Sequence, residues 1–169
     1  ADVASSDFES NGSTLGGVLF ALEGSGGSSY FLDCTLQNNE AVEGGAILSE
    51  NFGDFEDVVF VANESQVGSH VHLQSSGSGS TFTGCSFIGG TLMDPSGLGS
   101  AIYTNGIIGS LDIHQCTATG NHAGYDGGVF RFENTSSSAD ISISSSRFES
   151  NTTEQDGGGF FLGDGGQIH

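Results

Sequence analysis

The sequence predicts an all-β protein, a right-handed parallel β-helix (a solenoid) of about six coils, and three observations predict it. A shared pattern recurs along the chain: its asparagine column runs from Asn11 to Asn151, 140 residues over five steps, a mean period of 28. Each copy holds short apolar segments separated by glycine pairs and small polar residues, the spacing of brief strands joined by tight turns. Helix formers are scarce, with no Lys at all, while Gly, Ser and β-branched residues dominate.

Each predicted coil has three short strands. The first ends on the column Phe31, Phe55, Phe82, Ile113 and Ile143. Three residues later comes Cys34, Val58, Cys85, Cys116 and Ser146, with Ser6 ahead of them. An odd spacing between two inward columns cannot come from one uninterrupted strand, because side chains alternate faces with period two. A bend is therefore expected between them, at His114-Gln115 and Ser144-Ser145 for instance. The second strand runs through Phe8, Leu36, Phe60, Phe87, Ala118 and Phe148 to the turn at Asn11, Asn39, Asn63, Gly90, Asn121 and Asn151. The third follows a glycine corner and holds Leu19, Ile47, Val71, Ile102, Phe130 and Phe160. In the fourth copy, where Gly90 replaces the asparagine, the extra residues Met93-Asp94-Pro95 predict a loop pushed out of the coil. One domain spans 1–169, with coils near 1–27, 28–54, 55–79, 80–110, 111–140 and 141–169.

Gly44-Gly45-Ala46-Ile47 with Leu36-Gln37-Asn38-Asn39, and Phe8 to Asn11 and Phe148 to Asn151, resemble the Gly-Gly-Ala-Ile and Phe-x-x-Asn repeat of the chlamydial polymorphic membrane proteins. The resemblance covers essentially the whole chain. It implies a pectin-lyase-like solenoid used for surface display and adhesion, without catalytic residues to transfer.

Composition narrows the partners. Against 21 carboxylates stand only two strong cations, Arg131 and Arg147, for a net charge of −19. A nucleic-acid backbone or an anionic lipid surface needs clustered basic residues, so both are excluded. No apolar run reaches the length of a membrane helix, and no membrane insertion of this segment is expected. The sequons at Asn11, Asn63, Asn134 and Asn151, with the absence of Lys, point to an extracellular or cell-surface protein bearing N-linked glycans. Asn134, in a Ser-rich loop, is the site freest of conflict, because an inward-turned asparagine ladder would forbid glycans on the other three.

In the third strand, Arg131 and His72 should not be buried without partners, which sets the column Leu19 to Phe160 inward. The alternate column, Phe20, Leu48, His72, Tyr103, Arg131 and Phe161, is then expected outward as an exposed stripe that packs against another subunit or domain. Asp126 and Asp156 precede glycine pairs in adjacent coils, about 5 Å apart, and could share a Ca²⁺; a solvated acidic pair is the plainer reading. His70 and His72, two apart on a strand, would share a face and could hold a metal. Cys85 and Cys116 share a column, either as stacked inward thiols or as a disulfide. The glycine-rich 157–166 reads as corner-turning glycine rather than a phosphate or calcium loop.

No polar cap is evident at either end of the repeat, so end-to-end or lateral self-association is expected. The sequence thus reads as a non-enzymatic extracellular structural protein, part of a glycosylated fibre or surface layer. The alternatives are an adhesin that binds a cell-surface protein or glycan and, with less support, a polysaccharide lyase, whose chemistry needs a basic proton acceptor.

Overall fold

The computed structural model describes residues 2–21, 29–51, 53–74, 79–94, 96–106, 109–136, 139–163 and 167–169. All paired strands are parallel and no helix occurs among the described residues, so the chain is a β-solenoid. The first sheet stacks seven strands, from Asp2–Ala4 to Gln167–Ile168. The second stacks six, from Asp7–Glu9 to Arg147–Glu149, and another six-stranded sheet follows the glycine corner, from Leu19–Ala21 to Phe160–Leu162. Six stacked strands enclose about five complete turns, slightly fewer than the expected six.

A fourth sheet was not expected. Glu64–Ser65, Thr91–Leu92, His122–Ala123 and Thr152–Thr153 pair just after the asparagine turn, and Gly12 and Glu40 continue the column as single bridges. Two-residue strands leave no periodic trace in a sequence, so each coil has four sides where three were predicted.

The corners follow from backbone sterics. Ser5, Asp33, Asp57, Gly84, Gln115 and Ser145 all adopt positive φ, which supplies the bend expected between the first two strands. The first glycine of each corner pair is also left-handed, and at Gly44 a Cβ would lie 2.1 Å from the carbonyl oxygen of Ile47. Ala62 takes φ 47° at an exposed turn without glycine's freedom. Ala62→Gly is therefore expected to raise stability by about 1 kcal/mol, read as a higher urea midpoint.

Inside, the columns of Phe31, Cys34, Leu36 and Ile47 form one core. Phe31, Phe55 and Phe82 stack at 5.6 and 4.6 Å, Phe60 and Phe87 at 5.1 Å. The thiols of Cys34, Cys85 and Cys116 are free and buried, and each bonds to backbone carbonyls such as Phe55 O and Phe82 O. The loop of the fourth coil turns on Asp94, whose Oδ1 accepts from Ser96 N at 2.8 Å; Pro95 lies outside the described residues.

Candidate functional site: the outer column of the glycine-corner sheet

Phe20, Leu48, His72, Tyr103, Arg131 and Phe161 face one another in register across six strands, as the alternation requires. None belongs to the core cluster. Yet the expected open stripe is corrected: Leu48 is 1%, His72 3%, Tyr103 4% and Arg131 6% exposed, and of the six only Phe20, at 39%, is exposed. Phe161 is half-buried. Neighbouring side chains of the column cover each other. The ring of His72 lies 4.7 Å from that of Tyr103, and the guanidinium of Arg131 lies 4.4 Å from the Phe161 centroid and 5.6 Å from that of Tyr125. Alternation sets direction, but the height of neighbouring side chains sets exposure.

Carboxylates wall this column on both flanks. Arg131 Nη1 donates to Asp126 Oδ2 at 2.7 Å, and its Nε donates to Glu133 Oε1 at 3.0 Å. Tyr103 donates its hydroxyl to Glu133 Oε2 at 2.6 Å, and burial followed by that carboxylate pushes its pKa well up. On the next levels Gln74 Nε2 donates to Glu43 Oε2 at 3.0 Å, and His72 Nδ1 lies 3.3 Å from the same oxygen. His72, first, and Gln74 hold the Glu43 carboxyl below the usual range despite partial burial. Sequence reasoning missed Gln74 and Glu133 as partners. Their signal was position: each lies two residues beyond an outward member, on the same face.

The remaining candidates separate. The two aspartates differ in setting: Asp126 Oδ2 takes Arg131 and its Oδ1 accepts from Asp156 N at 3.0 Å, while the Asp156 side chain is exposed. Among the described residues no group of three potential metal ligands forms. His70 and His72 do not share a face, because the strand begins at Val71 and His70 sits in the corner, turned inward. Residues 164–166 of the glycine-rich end lie outside the described residues.

The asparagine column does turn inward. Asn39 Nδ2 donates to Asn63 Oδ1 and to Phe8 O; Asn121 Nδ2 donates to Asn151 Oδ1 and to Phe87 O. Asn63 is fully buried with its amide nitrogen held by Leu36 O and His70 Nδ1, so the expected glycan there is corrected. Asn151 is half-buried and bonded to Ala118 O, whereas Asn11 is exposed though bonded to Asn39. Asn134 is exposed, its amide donating to Asn105 Oδ1 at 2.7 Å. No family model, curated protein or solved structure matches the chain.

Proposed function

We propose that this chain is a non-catalytic structural module of an extracellular, glycosylated fibre or surface layer, in which its coils stack on further coils of the same kind. The asparagine ladder carries this reading. Its side chain-to-side chain bonds all run one way, from Asn11 toward Asn151, while the amides of Asn39, Asn121 and Asn151 also donate back to a carbonyl of the preceding coil. Continued one level further, the same pattern offers Asn151 N–H groups to an acceptor and Asn11 Oδ1 to a donor, which is head-to-tail complementarity. At the level of Asn151 the core columns are open as well: Phe160 and Leu162 are each 37% exposed and Ile168 39%. The chlamydial-type repeat described above is consistent with surface display.

An enzymatic reading gains little support from the outer column. Arg131, the cation nearest the stacked aspartates, is held by Asp126 and Glu133 and is not a free proton acceptor. An adhesin reading draws on one feature, an open hollow of about 290 Å³ lined by Glu133, Asn134, Phe161 and Gly163, with an aromatic ring and polar groups suited to a neutral sugar.

Electron microscopy and sedimentation of the purified chain over a wide concentration range test the proposal. Rods that lengthen with concentration, with a repeat of about 4.8 Å along the axis, are the expected result. A monomer at every concentration would overturn self-stacking, and glycan binding by that monomer, lost in Phe161→Ala, would establish the adhesin instead.

A further inference from the structure

His70 stands where the other coils have Val18, Ala46, Ala101, Val129 and Gly159, and Gly90 stands where they have asparagine. These two departures meet in space. His70 is fully buried, and a Cβ on Gly90 would lie 2.6 Å from its Nε2. The side chain missing from one level is thus the room that the imidazole of the adjacent level occupies.

The ring also takes over the missing rung. Asn63 Nδ2 lies 3.0 Å from His70 Nδ1, and His70 Nε2 lies 3.1 Å from Asn121 Oδ1. Asn63 Nδ2 is a donor, and Asn121 Oδ1 also accepts from Gly90 N at 2.9 Å. Nδ1 must therefore accept and Nε2 must carry the proton. Only this neutral tautomer keeps the ladder continuous and single in direction from Asn11 to Asn151.

We propose that His70 makes this level an acid-labile seam: protonation of Nδ1 sets an N–H against the Asn63 amide N–H and parts the ladder between Asn63 and Asn121. Among the described residues no ionised group faces the ring to compensate. It packs between Phe60, at 5.9 Å, and Phe87, at 6.0 Å. The Glu64 side chain, beside Asn63, is exposed, and His122, beside Asn121, is half-buried with its Nδ1 2.9 Å from Thr152 Oγ1. His72, two residues along, lies in the outer column with Glu43.

Burial lowers the His70 pKa from 6.5 to about 4, against a weaker opposing effect of the Asn121 hydrogen bond. The opened, solvated form titrates near the unperturbed value. Closure is therefore fully favoured above pH 6.5, weakens as pH falls toward the closed-form value, and changes little below it. Between pH 7 and pH 5 the opening constant should rise roughly 20-fold.

Native-state hydrogen exchange, corrected for intrinsic rates, tests this at the amides of Val71, Gly90 and Asn121, with imidazole nitrogen shifts reporting the tautomer. The wild-type chain is expected to lose about 20-fold in protection while closed His70 remains the Nε2–H tautomer at pH 5. Gly90→Asn alone should be destabilised, since its Cβ would lie 2.6 Å from His70 Nε2 and 2.3 Å from Ser69 Oγ. His70→Ala with Gly90→Asn and Ser69→Gly restores the residues found in the second coil, Ala46, Asn39 and Gly45, and should fold, keep its protection, and shed the acid-dependent loss while retaining every carboxylate. The proposal is overturned if this triple variant loses as much protection at pH 5 as the wild type. It is equally overturned if His70 titrates near 6.5 with the ladder intact.

Discussion

Arg131→Ala is expected to destabilise the fold by about 3–5 kcal/mol, the usual cost of leaving one member of a buried ion pair without its partner. Asp126 is only 5% exposed and sits beneath Arg131, so the substitution strands a carboxylate where water cannot replace the guanidinium. Glu133 contributes less to the loss, because its side chain is 25% exposed and keeps the Tyr103 hydroxyl. Asp126→Asn in the same chain should recover a large part of the stability by removing the stranded charge. Urea denaturation of the single and double variants measures the coupling. A loss below about 1 kcal/mol, the range of exposed pairs, would show that water reaches the guanidinium and that the outer column is open, as the sequence alone suggested. The expected result instead makes Arg131 and its neighbours in that column part of the folded interior.

Phe82→Ala should cost a similar amount, about 3–5 kcal/mol. The ring is fully buried, stacked on Phe55 at 4.6 Å and tilted against Phe87 at 5.7 Å. Its removal opens a cavity that the neighbouring coils cannot collapse into, because their backbones are tied above and below by the pairing of Ser80–Thr83 with Gly53–Glu56 and Ser110–His114. Phe160→Ala, at a site already 37% exposed, should cost clearly less. Thermal denaturation of both variants reads the gradient, and a solenoid whose stability is a sum of neighbouring interfaces requires it. Equal losses at the two positions would contradict that picture.

Much of this architecture was legible because a solenoid writes its geometry into columns. Period-two alternation placed Ile47, Val71 and Ile102 inward, and the odd spacing between Phe82 and Cys85 demanded a bend, which the structure makes with a left-handed Gly84. Other features were not legible. Thr91–Leu92 pairs with Glu64–Ser65 through two residues each, too short for any period. His70 and His72 look like an i, i+2 pair on one face until the corner is seen to end just before Val71.

By itself, the sequence determined the coil: its period, its three long sides, its inward columns and its acidic surface, all consequences of local sterics and alternation. Only the tertiary structure decided which outward residues meet solvent and which are covered, because exposure depends on neighbours one coil away. It alone paired Arg131 with Asp126, and it alone brought His70 into the space left by Gly90. Residues 20 positions apart in the chain meet there because stacking, not sequence distance, sets contact in a solenoid.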